Sequence, residues 1–144
     1  MHSMNIMHRD VKCENIMLEN NDPENLQIKL TDFGFACFFM PGEGRKELLG
    51  SPLYMAPEIV ANNQPYDCKV DVWSAGVIAY ILLSGRPPFK GKTRDEIFAV
   101  IRNSKVEFPP AHWVKVSKDA KDFIFQALTK DPTLRPTAET LLQH

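Results

Sequence analysis

The hydrophobic pattern changes along the chain from short apolar runs to longer segments with helical spacing. Two short runs, 16–19 and 26–31, flank a turn-forming cluster at 20–25, which predicts a β-hairpin. From about position 56 onward, apolar residues recur at helical intervals. The pattern therefore predicts a mainly α-helical fold with a small β-hairpin near its N-terminal end.

The longest apolar segment runs from Val72 to Leu83 and predicts a helix that begins at Asp71 and ends at Ser84 and Gly85. A helix that is apolar on all sides is expected to be buried on all sides, so we place it at the centre of the fold. The segment is about a dozen residues long, whereas a membrane span needs roughly 20. We therefore expect no membrane span and a soluble protein.

Capping residues predict the other helices. Thr93 with Glu96 forms a capping box, and Ser117 and Thr137 are further N-cap candidates. A short helix is expected over 56–60, with Pro57 in its first turn. Between 35 and 54 the chain has no sustained period, which predicts a long loop of functional importance.

Composition limits the possible classes of protein. The 144 residues suffice for one compact domain, and 44% apolar with 24% charged residues favours a packed core. The net charge of −1 gives no reason to expect nucleic acid or an acidic membrane as the main partner. Three cysteines without a CxxC pair argue against a disulfide framework or a zinc site, so we expect an intracellular, cytoplasmic location.

The candidate chemistry is concentrated in two polar segments. Asp10, Lys12 and Asn15 lie within six residues in the loop before the predicted hairpin, and Asp32 follows its second strand, before Phe33 and Gly34. An Asp, an Asn five residues later and a second Asp before Phe-Gly form the ordered pattern of protein kinases. Each residue alone would be an ordinary polar loop residue, but the spacing of all four favours a functional site.

Five blocks in order, HRDxKxEN, DFG, GSPLYMAPE, DVWSAGVIAYILLSGRPPF and LTKDPTLRPTAETLLQH, resemble the C-terminal lobe of a eukaryotic Ser/Thr protein kinase. The sequence is most similar to the calcium/calmodulin-dependent group, including the calcium-dependent kinases of plants and protists. The resemblance covers residues 1–144 and implies a partial kinase domain with helices packed around a buried central helix. It also implies ATP and Mg²⁺ as cofactors and proteins with Ser or Thr as substrates.

The resemblance implies a role for each residue of the two motifs. Asp10 is expected to be the catalytic base, and Lys12 to contact the nucleotide and neutralise charge on the transferred group. Asn15 and Asp32 are expected to bind nucleotide through Mg²⁺, which prefers oxygen ligands. Met17 matches the residue that packs beneath the adenine ring, and a role as a plain core residue is compatible with that.

Substrate binding is expected at Glu14 and Ser51. Glu14 matches a residue that pairs with an Arg upstream of the phosphoacceptor, which implies a preference for basic substrates, but a solvated Glu is almost as compatible with the sequence. Cys13 stands where the family usually has Pro, and we interpret it as a small packing residue rather than a nucleophile.

The activation segment, 35–49, contains no Ser, Thr or Tyr. Many relatives carry a phosphothreonine four residues before the position of Ser51, and here that residue is Glu47. We hypothesise that Glu47 pairs with Arg9 and partly replaces the phosphate. The alternative, a surface Glu, would contribute only about 0–1 kcal/mol.

Five residues are expected to have structural roles by resemblance. His8 and Phe33 would belong to a stacked spine, and Asp71 would accept backbone hydrogen bonds from the catalytic loop. Glu58 and Arg135 would form a buried ion pair.

The sequence has no G-x-G-x-x-G followed by a strand bearing Lys, no partner Glu and no adenine hinge. We therefore expect an incomplete domain that binds ATP weakly by itself. Calcium or calmodulin could act only through segments outside these residues. The alternative function is a non-catalytic interaction module, although a scaffold has no physical need to keep metal ligands.

Overall fold

The structure is a computed structural model that describes residues 1–20, 22–40, 42–62 and 64–144. Its four short strands are β1 (Ile6–Met7), β2 (Ile16–Leu18), β3 (Ile28–Leu30) and β4 (Cys37–Phe38). Its six α-helices are α1 (Pro57–Ala61), α2 (Lys69–Ser84), α3 (Arg94–Asn103), α4 (Pro110–Trp113), α5 (Lys118–Ala127) and α6 (Ala138–Leu141). Short 3₁₀ helices span His2–Met4, Cys13–Asn15, Phe33–Phe35 and Pro52–Tyr54.

The predicted hairpin is present but shorter than expected. Strands β2 and β3 pair antiparallel with Ile16 opposite Leu30 and Leu18 opposite Ile28. Asn21, a residue of the predicted turn, is not among the described residues. The pairing brings the end of the first motif, at Asn15, next to the start of the second motif, because the Thr31 N–H donates to the Asn15 carbonyl at 2.9 Å.

The region predicted as one long loop contains a strand, so the prediction of a continuous loop is wrong. Strand β4 pairs antiparallel with β1, with Ile6 opposite Phe38 and Met7 opposite Cys37. Two-residue strands have too few positions to show an alternating pattern, and the pairing depends on residues about thirty positions apart. Pro41, also in the predicted loop, lies outside the described residues.

Helix α2 begins at Lys69, two residues before the predicted start, because the Asp67 side chain accepts the N–H of Lys69 at 2.8 Å. Nine of its sixteen residues are buried, and it packs against α5, α4 and the 3₁₀ helix Pro52–Tyr54. Gly76 permits the contact with α5, since a Cβ there would lie 2.7 Å from the Cβ of Ala127. The prediction of burial on all sides is wrong for the last turn, where Leu82 is 74% exposed.

The predicted caps of three helices are present. Thr93, Ser117 and Thr137 each accept a hydrogen bond from the backbone N–H three residues later. Glu96 differs from a regular capping box, because its carboxylate accepts from the N–H of Lys92 rather than that of Thr93.

In the described parts of the chain, no helix combines the length and the apolar character that crossing a bilayer requires.

Candidate functional site

Asp71 fixes the first polar loop to the start of α2. Its two carboxylate oxygens accept the backbone N–H groups of His8 and Arg9, each at 2.8 Å, and the side chain is only 5% exposed. A charged acceptor strengthens each of these hydrogen bonds relative to a neutral one. Arg9 adopts a positive φ of 69°, an unusual conformation for a non-glycine residue, and these bonds help to hold it there.

The carboxylate of Asp10 lies in a polar cluster beside this anchor. Lys12 Nζ donates to Asp10 Oδ2 at 2.7 Å and to Ser51 Oγ at 3.0 Å. Burial alone would raise the pKa of Asp10, but Lys12 and Ser51 together hold it below its ordinary value. Asp10 is therefore ionised at neutral pH and oriented by two neighbouring groups.

Asn15 joins the same cluster with a defined amide orientation. Its Nδ2 donates to the Asp10 carbonyl oxygen at 2.9 Å and lies 3.4 Å from Asp10 Oδ2. Because the amide nitrogen is used in this way, the amide oxygen Oδ1 remains free to accept a donor or to ligate a cation. Asn15 is 6% exposed, so its orientation is set by the protein rather than by solvent.

Asp32 approaches the cluster from the end of β3. It has a positive φ of 59°, and its side chain accepts the N–H of Gly34 at 3.3 Å. The hydrogen bond to Asp10 raises the pKa of the Lys12 amine, and the carboxylates of Glu14 and Asp32 raise it further. The charge of Asp32 therefore acts on the same ammonium group that Asp10 binds.

These residues fit a hard divalent cation. Asn15 offers a free amide oxygen, Asp32 offers an exposed carboxylate, and Asp10 Oδ1 is buried without a hydrogen-bond partner in the described residues. Mg²⁺ is commonly bound by one or two carboxylates with the remaining positions filled by water or phosphate oxygens. Within the described ranges, no group of three or more His, Cys, Asp or Glu residues is arranged to hold a metal. A cation here would therefore need water or phosphate oxygens to complete its coordination.

Gly50 allows Ser51 to reach Lys12. It has a φ of 110°, and a Cβ there would lie 2.7 Å from the carbonyl oxygen of Arg9. A larger residue would have to separate the two segments. The glycine before Ser51 is visible in the sequence, but its contact with the loop depends on the tertiary structure.

The segment around Glu47 contacts the first loop through Arg9. Arg9 Nη1 lies 3.4 Å from Glu47 Oε2, and Arg9 Nε donates to the Phe35 carbonyl at 2.6 Å. Hydrogen bonds from the backbone N–H groups of Glu47 and Lys46 lower the pKa of Glu47, and Arg9 adds to this effect. The two residues are therefore oppositely charged and adjacent at neutral pH.

Other sequence-predicted residues lie around this cluster. His8 is fully buried and packs against Phe33 with a ring-centroid distance of 4.9 Å, and its Nε2 lies 3.0 Å from the Thr31 carbonyl oxygen. Glu14 is exposed, with Oε2 3.4 Å from the Tyr54 hydroxyl. Met17 is 55% exposed, so the alternative interpretation of Met17 as a core residue is wrong for the described chain.

Glu58 and Arg135 form a bidentate buried pair distant from the polar loop in sequence. Arg135 Nη1 and Nη2 donate to the two Glu58 oxygens at 2.6 and 2.9 Å, and the side chains are 0% and 3% exposed. The guanidinium group also donates to three backbone carbonyls and lies 5.1 Å from the centroid of Trp73. This pair connects α1 to the turn before α6.

His2 is a residue that the sequence reasoning missed. Its Nε2 lies 2.9 Å from Asp71 Oδ2, on the same oxygen that accepts the His8 N–H. Burial opposes protonation of this imidazole, but Asp71 and Cys68 nevertheless raise the pKa of His2 to about 9. A lone His at the start of a chain gives no sequence signal for such a contact.

The sequence matches the family model described as protein kinase domain over residues 1–144. It is 45% identical over 143 residues to calcium-dependent protein kinase 16 of Oryza sativa subsp. japonica, an alignment that covers 99% of this chain and 26% of that protein. Calcium-dependent protein kinase 25 of Arabidopsis thaliana is 43% identical over 143 residues, with 99% and 27% coverage. The chain thus spans about a quarter of the length of these curated relatives.

Proposed function

The chain belongs to the protein kinase family, and we propose that it supplies the catalytic loop of a Ser/Thr kinase that transfers a phosphoryl group from Mg-ATP to a protein hydroxyl. In this proposal residues 1–144 form the lower lobe of the kinase domain, with α2 as its central helix. The observation that carries the proposal is the hydrogen-bonded cluster of Asp10, Lys12, Asn15 and Ser51 next to Asp32.

Phosphoryl transfer requires mainly that the reacting groups are held in position, since the protein performs little covalent chemistry. The ionised Asp10 would accept a hydrogen bond from the substrate hydroxyl and then its proton, while the new oxygen–phosphorus bond forms and the bond to the leaving diphosphate breaks. Lys12 would stabilise negative charge on the transferred group from its position beside Asp10.

Asn15 and Asp32 would hold the Mg²⁺ ion through oxygen atoms. Bound Mg²⁺ would neutralise charge on the nucleotide phosphates. The hydrogen bond from Asn15 to the Asp10 carbonyl keeps the amide oxygen free for this purpose, and it ties the metal position to the position of the base. Met17, exposed on β2, is available to contact the adenine ring.

Two further residues would shape the substrate cleft. Glu14 is exposed beside Tyr54 and would favour substrates with a basic residue before the phosphoacceptor. Glu47 would take the place of an activating phosphate, because it already lies beside Arg9 without any modification. We therefore propose that the kinase needs no phosphorylation of its activation segment.

The decisive experiment joins this chain to the upper lobe of a relative such as calcium-dependent protein kinase 16 and measures transfer from labelled ATP to a Ser peptide with an upstream Arg. Asp10→Asn should lower kcat by about 10²–10⁴-fold, the usual contribution of a positioned base. Asp119→Asn, at an exposed position, is the matched control and should leave kcat unchanged. An active Asp10→Asn protein, or an inactive wild-type chimera that is folded and binds ATP, would contradict the proposal.

Nucleotide binding by the 144-residue chain alone tests the need for the upper lobe. Calorimetric titration with ATP and Mg²⁺ should show affinity in the millimolar range or weaker. Micromolar affinity from these residues would show that the upper lobe is dispensable for binding and would refute that part of the proposal.

A further inference from the structure

A polar cavity lies at the end of α2 that is farthest from the catalytic loop. It has a volume of about 440 Å³, within the range of roughly 300–1,000 Å³ that is typical of ligand pockets. Ser84 lines it at the C-terminal end of α2, whereas Asp71 lies near the N-terminal end. At 1.5 Å per residue the two positions are about 20 Å apart along the helix. The cavity is therefore separate from the proposed active site.

The floor of this cavity is aromatic and largely buried. Tyr80 and Trp113 pack with their ring centroids 4.7 Å apart, and Trp113 is 1% exposed. The indole N–H of Trp113 is close to the Tyr80 hydroxyl but makes no hydrogen bond of adequate geometry within the described chain. The Tyr80 hydroxyl donates instead to the Glu107 carbonyl at 2.8 Å. The two rings therefore form a closed apolar floor, and the partly exposed apolar surface of the cavity comes from Pro87, Pro88 and Val100.

The walls are rigid before any ligand arrives. Prolines 87, 88 and 109 line the cavity and have fixed φ angles. Ser84 Oγ donates to the Tyr80 carbonyl at 2.7 Å and accepts the N–H of Arg86 at 3.3 Å, which fixes the start of the wall that carries Arg86. Preformed walls reduce the entropic cost of binding.

The rim of the cavity is positively charged. Arg86, Lys90 and Lys105 line it, and Glu107 is the one acidic residue among the described residues of the lining. In the part of the chain that the structure describes, none of these three cations has a carboxylate within ion-pair distance. Arg86, Lys90, Lys105 and Glu107 give the lining a formal charge of +2, although the whole chain has −1. The positive charge is therefore local to this cavity.

We propose that this cavity binds an acidic peptide segment of a partner protein, one in which an apolar side chain is flanked by Asp or Glu. Single exposed charges contribute little to affinity, so the ligand needs apolar contact with the proline-lined wall as well as carboxylates for the rim. Pro87, Pro88 and Pro109 in the lining offer apolar contact to a side chain and none that suits a phosphodiester backbone, which favours a peptide over nucleic acid. The site is independent of catalysis and does not require the proposed kinase activity.

The binding test uses the full chain and a fluorescein-labelled nonapeptide with a central Phe flanked by Glu, followed by anisotropy. The same peptide with Gln in place of Glu should bind at least tenfold more weakly, and raising the salt concentration should weaken binding of the Glu peptide. Equal binding of the Gln peptide would overturn the proposal. Tighter binding of a phosphoserine version or of single-stranded RNA than of the Glu peptide would also overturn it.

The double variant Arg86→Glu with Lys105→Glu should lower affinity for the Glu peptide at least tenfold. The matched control is Lys115→Glu with Lys118→Glu, which makes the same change of net charge at exposed positions outside the cavity. Thermal unfolding should show that both variants remain folded. Unchanged affinity in the cavity variant, or an equal loss in the control, would overturn the proposal.

The two tryptophans of the chain allow NMR to locate the bound peptide. Their indole N–H groups should give two separate NMR signals, which Trp113→Phe would assign. The peptide should shift the Trp113 signal and leave that of Trp73, which is stacked under Arg135 in the core, unchanged. A bound peptide that shifts neither signal would place its site elsewhere and refute the assignment to this cavity.

Discussion

Asp71→Asn tests how strongly α2 holds the catalytic loop. The aspartate accepts three hydrogen bonds, from the N–H groups of His8 and Arg9 and from the ring of His2, at 2.8, 2.8 and 2.9 Å. Asparagine has nearly the same shape but only one acceptor oxygen, so its amide NH₂ must face at least one of these donors. A hydrogen bond to a charged group contributes about 1.5–3 kcal/mol, and we expect a loss of roughly 2–4 kcal/mol in the free energy of unfolding at pH 6.

The substitution also changes the dependence of stability on pH. Asp71 and Cys68 overcome the effect of burial and raise the pKa of His2 from 6.5 to about 9 in the folded chain. A raised pKa means that the protonated imidazole stabilises the folded state below pH 6.5 and that this contribution is lost as the pH rises through about 9. Since one pKa unit corresponds to about 1.4 kcal/mol, the upper limit of the contribution is about 3 kcal/mol.

Urea unfolding of both proteins at several pH values between 6 and 9.5 measures the two effects together. The stability difference between wild type and Asp71→Asn should shrink by up to about 3 kcal/mol across this range, because the variant loses the charged partner of His2. His2→Gln in the wild-type background should remove the same pH dependence while it leaves both backbone hydrogen bonds intact. Parallel pH profiles for wild type and Asp71→Asn would refute the reasoning.

Three further predictions concern separate contacts. Glu58→Gln should lower the free energy of unfolding by about 3–5 kcal/mol in urea titrations, because it leaves the buried guanidinium of Arg135 without its counter-charge. Gly76→Ala should cost about 1–3 kcal/mol by the same measurement, since the added methyl group would lie 2.7 Å from the Cβ of Ala127. In an active chimera, Glu47→Ala should lower kcat several-fold, and Glu47→Asp should retain part of it, if the contact with Arg9 orders the activation segment.

Each of these has a control in the same chain. Glu139→Gln removes a charge at an exposed position and should change stability by less than about 0.5 kcal/mol. Gly85→Ala measures the cost of a positive backbone φ without any steric contact, because Gly85 has a φ of 70° and nothing lies within 4 Å of an added Cβ there. Glu43→Ala, in the same loop as Glu47 and exposed, should leave turnover unchanged. A wild-type level of turnover in Glu47→Ala would contradict the role proposed for that residue.

Local sequence signals predicted the elements that depend on near neighbours. The hairpin pairing Ile16 with Leu30 follows from two apolar runs around a turn cluster. The caps at Ser117 and Thr137 follow from side chains that satisfy backbone N–H groups three residues away. Such contacts are encoded within a few positions, so a single sequence is sufficient to predict them.

Contacts between distant residues were harder to predict. The pairing of β1 with β4 and the exposure of Leu82 both depend on which surfaces meet after folding. The approach of His2 to Asp71 spans 69 positions, and neither residue type specifies the other. The cavity beneath Arg86 and Lys105 also arises only when the end of α2 meets the segment after α3. Neither local periodicity nor the family motifs specify these features, whereas the equally distant Glu58–Arg135 pair was expected from the family resemblance.

For this protein, the sequence by itself determined which chemical groups are available and their order along the chain: a carboxylate, an amine and an amide in one short loop, and a second carboxylate after the next strand. The family resemblance added the expectation that Asp71 anchors this loop and that Glu47 lies beside Arg9. Only the tertiary structure decided that His2 joins Asp71, that Ser51 reaches Lys12, and that β1 pairs with β4. The physical reason is that residue types and local propensities act over one or two turns of chain, whereas charge pairing and burial depend on distances that exist only after the elements have packed.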